Sequence, residues 1–179
     1  STGHPLQVTG FDNQMILTYS SNNLTHQLDS VIRALDLPVS HDPAYSTAII
    51  PLIDSLKFWY TATPTDKTFF DRCKEQAGII HQQLAAKAGP DAFWTMVVQN
   101  IIAETLSFQR GDFRIARNTR DEQMALNLRW LAEHKYPGEK IIVWAANYHI
   151  AKYADHDGKK DLESMGHFFT RDSNYLRQT

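Results

Sequence analysis

The chain has 179 residues, which fits one domain large enough to bury roughly 70% of the surface its unfolded form exposes. Hydrophobic residues make up 42% and charged residues 21%, ordinary globular values that exclude disordered and collagen-like classes. The net charge of −2 comes from 18 basic and 20 acidic side chains with no run of like charge, so a nucleic-acid or membrane-surface partner has no electrostatic footprint.

Other classes fall away as quickly. No window reaches 18 consecutive apolar residues, so no membrane span is expected. The single cysteine, Cys73, rules out an internal disulfide and reads as buried filler on an apolar helix face. The N-terminus, Ser1-Thr2-Gly3-His4-Pro5, is not a signal peptide and lacks Met. It reads as a processed or engineered start. The compartment is then the cytoplasm, or the periplasm where an export signal has been removed. Eight histidines provide side chains that titrate near neutral pH.

In chain order, Leu6-Gln7-Val8-Thr9-Gly10 alternates apolar and polar and predicts a strand over about 5–10, ending in the polar stretch Gly10-Phe11-Asp12-Asn13-Gln14. A helix is expected near 24–36, with Leu24, Leu28, Val31, Ile32 and Leu35 on one face and Pro38 as its stop. A second is expected near 43–60 on Ile49, Leu52, Ile53 and Leu56. The turn Thr63-Pro64-Thr65-Asp66 leads into a third, 66–87, striped by Phe69, Cys73, Ala77, Ile80 and Leu84. Gly89-Pro90 separates it from a fourth over about 90–109, carrying Phe93, Val97, Ile101 and Phe108, with Gly111 as its break.

A fifth helix is predicted to start near Thr119 or Arg120, with Met124, Leu128 and Leu131 facing one way. Thr119 would cap it, and Asp121 and Glu122 would favour its positive end. Arg120 is electrostatically misplaced at such a start and hints at an acidic partner or a substrate oxygen. After the turn at Tyr136-Pro137-Gly138 comes the run Lys140-Ile141-Ile142-Val143-Trp144-Ala145-Ala146. Its continuous apolar character predicts a strand covered on both faces of a parallel sheet. His156-Asp157-Gly158-Lys159-Lys160 reads as an exposed loop, and 161–179 is polar.

The fold class expected is therefore α/β and helix-rich: one domain over 1–179, a small parallel sheet, and a large helical insertion over about 24–110. Two strands do not make an independently stable parallel sheet. Either further strands are hidden, or the chain is a segment of a larger α/β domain, or a partner supplies strands.

Ligands in parallel α/β sheets gather beyond the C-terminal strand ends, which singles out Asn147 and His149. A histidine there can serve as general base, electrophile or metal ligand, or can simply bond a backbone carbonyl and cap a turn. If the two strands are neighbours, Asp12 and Gln14 lie near this pair, and Asp12 could orient a histidine. Asp and Asn are also common in turns for local reasons. Asp155-His156-Asp157 is a poor metal site, because adjacent residues rarely converge on one ion. No HExxH or CxxC is present. There is no GxSxG and no glycine-rich phosphate loop.

Several blocks together resemble the erythromycin esterase family. They are Arg120-Asp121-Glu122-Gln123-Met124-Ala125-Leu126-Asn127, Trp130-Leu131, Lys140 to Ala145, and Asn147 with His149-Ile150-Ala151-Lys152. Gly10-Phe11-Asp12 with Gln14 is similar to the family's strand ahead of its helical insertion, and Ser164-Met165-Gly166 to the Met-Gly after its catalytic loop. The resemblance implies a hydrolase without metal or cofactor, in which histidine and glutamate side chains activate a water to open a macrolide lactone. It implies a small-molecule ester or lactone as partner. It points to His149, Asn147 and Arg120 as catalytic, with Asp12, Gln14 and Asp121 at the substrate. Two departures stand out. The family's Trp-Ala-His-Asn-x-His motif has Ala146 at its first histidine, and no Gly-Glu-x-x-His-Gly segment is present to supply the general base. The chain then reads as a partial domain, inactive by itself. Two other outcomes fit the residues: a non-catalytic binding member of the same fold, or a metallohydrolase using His149 and Asp12.

Overall fold

A computed structural model describes residues 5–14, 18–58, 67–109, 112–152 and 162–171. Among them, regular structure is entirely helical. Helix α1 spans Thr18–Ala34. It is followed by a short 3₁₀ turn, Pro38–His41, and by α2, Ile50–Asp54. A π-helical turn, Tyr45–Ile49, leads into α2, and a 3₁₀ turn, Ser55–Phe58, follows it. The long helices α3 (Lys67–Ala88), α4 (Phe93–Gln109) and α5 (Phe113–Trp130) come next. A π-helical turn, Leu131–Lys135, continues α5. Two short helices close the order: α6, Asn147–Ile150, and α7, Met165–Arg171.

The main core forms where the predicted stripes meet. Leu28 and Ile32 of α1, Ile53 of α2, Cys73, Ala77, Ile80 and Leu84 of α3, and Val98 and Ile101 of α4 are all buried together. Each large side chain sequestered there contributes roughly 1.5–3 kcal/mol through the apolar surface it removes from water. Gly89, at φ +107°, ends α3 by taking a left-handed conformation that a side chain would strain, and its N–H bonds back to Ala85 O at 3.1 Å. Cys73 is fully buried in this core, and burial pushes its thiol up to about 12. Its thiolate is therefore scarce at neutral pH. Cys73 is expected to resist an aryl disulfide reagent at pH 8 in the native protein and to react once the chain is unfolded. Rapid labelling of the native protein would contradict its placement.

A second, smaller core sits between α5 and α7. Met124, Ala125 and Leu128 pack there with Met165 and Phe168, and Phe11 and Val143 lie against them. Phe11 and Val143 belong to the two stretches expected as strands, and here the α/β expectation is corrected. Among the described residues no strand forms. Residues 5–14 and 139–146 run without helix or turn and exchange no ladder hydrogen bonds. The apolar run around Ile142 implies cover on both faces, yet only Val143 reaches the second core. Ile142 and Trp144 are 88% and 94% exposed, and Leu6 and Val8 are 87% and 90% exposed. The parallel sheet is therefore absent from the described residues.

Smaller expectations also shift. Pro137 and Gly138, the latter at φ +78°, form a tight turn closed by Glu139 N–H to Tyr136 O at 3.2 Å. Helix α5 starts six residues earlier than Thr119: Asp112 is its cap, accepting from the Arg114 N–H at 2.8 Å. Phe93, expected on a core stripe, is 56% exposed. The turn over 63–66, Gly111, and the loop over 156–160 lie outside the described residues, as does most of the 161–179 tail.

Candidate functional site

The early start of α5 places Arg120 and Asp121 in mid-helix instead of at an end. Asp121 then falls on the same stripe as Met124 and Leu128, and it faces inward with no exposed surface. Two groups meet its carboxylate. His149 Nδ1 lies 2.7 Å from Oδ1, and the Met165 backbone N–H donates to Oδ2 at 3.1 Å. Burial raises the Asp121 pKa above the ordinary carboxylate range, and the facing His149 and the Met165 N–H pull it partly back. With Asp121 as a carboxylate, Nδ1 must carry the proton, which leaves the Nε2 lone pair as an acceptor.

His149 is held by α6, and α6 is held by the segment entering α7. Ser164 Oγ donates to Ala151 O at the end of α6 and accepts from the His167 N–H at 3.3 Å, capping α7. Gly166 lies against the same end: a Cβ built there would collide with Ile150 O and stand 2.7 Å from Ala151 O. The stretch Ser164-Met165-Gly166 thus fixes the helix that bears His149 and supplies the N–H that anchors Asp121.

A cavity of about 320 Å³ opens in front of His149. Glu104 and Ser107 of α4, Arg117 and Arg120 of α5, and Gln14 line it together with His149. Phe108, Phe113 and Ala116 form its apolar wall. The Arg117 guanidinium lies over the Tyr148 ring at 3.3 Å from its centroid and over the Phe113 ring at 5.7 Å. Arg120 grips Asp12 with two nitrogens, Nε to Oδ1 at 3.0 Å and Nη2 to Oδ2 at 2.5 Å. The acidic partner hinted at by Arg120 is thus Asp12, 108 positions away in the chain. Asp12 also accepts from the Gln14 N–H at 3.3 Å, fixing the local turn of that stretch.

Residues 5–14 are tied down by amides. Asn127 Nδ2 donates to Phe11 O at 2.9 Å, and Asn100 and Asn127 exchange side-chain hydrogen bonds at 3.0 and 2.6 Å. A second cavity, about 370 Å³, lies along this stretch against Phe93, Met96 and Trp130. It is larger and is lined by neither His149 nor Glu104.

The structure therefore brings His149, Arg120 and Gln14 around one cavity, with Asp121 behind His149 and Asp12 behind Arg120. The carboxylate on His149 is Asp121, and Asp12 serves Arg120 instead. Asn147 is exposed at the start of α6 and does not line the cavity, and Ala146 before it is exposed as well. Among the described residues no three His, Cys, Asp or Glu side chains gather as a metal site. Asp155, His156 and Asp157 fall outside those residues.

Glu104 was not legible as a site residue. It is 2% exposed, and Asn13 Nδ2 donates to its Oε2 at 3.4 Å. The available signal was a charge in an otherwise apolar stretch of helix, Ile101-Ile102-Ala103-Glu104, where burial without a purpose is costly.

The sequence model of one family, described as erythromycin esterase, matches residues 1–173. No curated protein and no solved structure matches the chain. The chain belongs to the erythromycin esterase family, and that membership points to hydrolase-type chemistry.

Proposed function

We propose that this member of the erythromycin esterase family hydrolyses carboxylic esters or lactones with a water activated by His149. The observation that carries the reading is the buried Asp121–His149 pair, 2.7 Å apart, with the histidine opening on a 320 Å³ cavity. Asp121 holds the proton on Nδ1, so Nε2 can take one from a water as its oxygen attacks the acyl carbon. The tetrahedral intermediate carries negative charge on the former carbonyl oxygen. Arg117 and Arg120 supply positive charge at the cavity wall where that oxygen would sit. Collapse releases the acid and the alcohol.

The test is hydrolysis of macrolide lactones and simple aryl esters by the protein, beside His149→Gln. The expected result is turnover that falls by roughly 10²–10⁴-fold in the variant. Hydrolysis at the wild-type rate in His149→Gln would remove the assignment. A second reading, a binding module of the same family, rests on Ala146, where a methyl group replaces an imidazole. It predicts ligand binding without turnover on any ester.

A further inference from the structure

The two arginines that line the His149 cavity are not alike. Arg120 is taken: Asp12 holds two of its nitrogens, at 3.0 and 2.5 Å. Arg117 meets only the faces of two rings, Tyr148 at 3.3 Å from the centroid and Phe113 at 5.7 Å. Ring faces hold a guanidinium by its flat side and leave its five N–H donors, which lie in its plane, uncommitted. Among the described residues none of those donors meets an acceptor. The carboxylates around the cavity are engaged by other groups. Asp12 lies on Arg120, Asp121 on His149 and the Met165 N–H, and Glu104 accepts from the Asn13 amide. Among the described residues, Arg117 thus faces the cavity as a cation without a counter-ion.

We infer that Arg117 receives a carboxylate carried by the substrate, so that the preferred ester is small and anionic. The ester rests on the hydrolytic reading above, and the anion rests on the cavity itself. A planar guanidinium with an open edge binds a carboxylate through two parallel N–H···O bonds. Arg117 is half-buried, so the pair forms partly shielded from water, where it is stronger than on an open surface. The apolar wall of Phe108, Phe113 and Ala116 accepts hydrocarbon beside that charge. The volume of about 320 Å³ lies at the small end of ligand sites, which run from roughly 300 to 1,000 Å³, and suits a short-chain ester. Tyr148 precedes His149 in α6, so the stack also fixes the spacing between the anion and the imidazole.

A fixed charge and a developing one make different demands on Arg117. The oxyanion exists only in the transition state, so serving it raises kcat. A substrate carboxylate is present in the ground state as well, so binding it lowers KM.

The test compares three esters: ethyl valerate, which is neutral, monoethyl glutarate, with a carboxylate on the acyl side, and 2-carboxyethyl valerate, with one on the alcohol side. Wild type should favour one of the acidic esters over ethyl valerate by about 10–10²-fold in kcat/KM, mainly through KM. Which one it favours tells the side on which the charge sits. Raising sodium chloride should shrink the preference. Arg117→Gln should slow all three esters in kcat and abolish the preference, and Arg117→Lys, which keeps the charge without the fork, should retain part of it. A second arm needs no turnover: glutarate is titrated while the His149 ring is followed by NMR. A saturable shift is expected in wild type, with binding about 10-fold weaker in Arg117→Gln. No preference for either acidic ester overturns the inference and leaves the His149 reading intact. Equal losses of all three esters in Arg117→Gln overturn it too, and assign Arg117 to the oxyanion or to holding α6. Where no ester is turned over, the hydrolytic reading falls and glutarate decides: no saturable shift, or the same affinity in Arg117→Gln, overturns the anion site.

Discussion

Asp121→Asn is expected to cost about 10³–10⁴-fold in kcat with the fold intact, because it reverses the protonation of His149. The argument turns on Met165. Its backbone N–H points at Asp121 Oδ2 and can only donate. An asparagine must therefore give its one oxygen to Met165, which turns its NH₂ toward His149 Nδ1. The imidazole can meet that NH₂ only by accepting, so its own proton moves to Nε2, and the lone pair that would receive the water proton is lost. Stability should move the other way. Burial raises the Asp121 pKa, so the folded protein holds this proton more tightly than the unfolded chain does. The resulting penalty is absent below the ordinary carboxylate range, and it grows as pH rises through that range toward the raised folded value. Asp121→Asn should then match or exceed the wild-type Tm at pH 7, with the difference fading under acid conditions. Kinetics and melting curves at two pH values check both halves, and wild-type turnover in the variant would sink the tautomer argument.

The second large effect is expected at a residue that touches no substrate. Gly166→Ala drives a methyl group into Ile150 O and places it 2.7 Å from Ala151 O and 2.8 Å from Ile150 C. All three are backbone atoms, so no side chain can swing aside. The Ser164 hydroxyl pins the same carbonyl of Ala151. The end of α6 must therefore shift, carrying His149 off Asp121. Overpacking of this kind costs roughly 1–3 kcal/mol, and a displacement near 1 Å at a catalytic group costs about 10²-fold in rate. Thermal melting beside kcat measurement decides it. A Gly166→Ala protein as stable and as active as wild type would show that the α6–α7 contact does not position His149.

Periodicity made the helices legible. The stripe from Cys73 to Leu84 is buried in α3 with Phe69 partly buried at its start, and Leu28 and Ile32 anchor α1. Their ends were harder, because capping is decided by one or two side chains: Thr119 reads as a cap, yet Asp112 takes that role. The strand reading failed for a different reason. An apolar run states that burial suits its residues, without stating what covers them, and Ile142 and Trp144 are exposed in spite of it. For the candidate site, His149 drew attention through its motif, whereas Arg120 drew it through a helix-end placement that the early start of α5 removes. Asp121 was misread because its place in the fifth helix was misjudged. Counting back three from Met124 puts it on the inward stripe, the position where a carboxylate invites a question. Glu104 raises the same question in α4. Its answer needs the third dimension, since His149 lies 45 positions further along the chain.

The bare side chains of Leu6, Val8, Ile142 and Trp144 carry a consequence for handling the molecule. Grease facing water beside backbone groups that lack a ladder is the recipe for molecules to cling to one another. A net charge of only −2 offers little mutual repulsion to oppose it. Concentration and precipitating salts such as sulfate therefore push this chain toward clustering. Trp144, at 94% exposure the barest of these side chains, lies five positions ahead of the histidine, so contacts that shelter it form beside the candidate site.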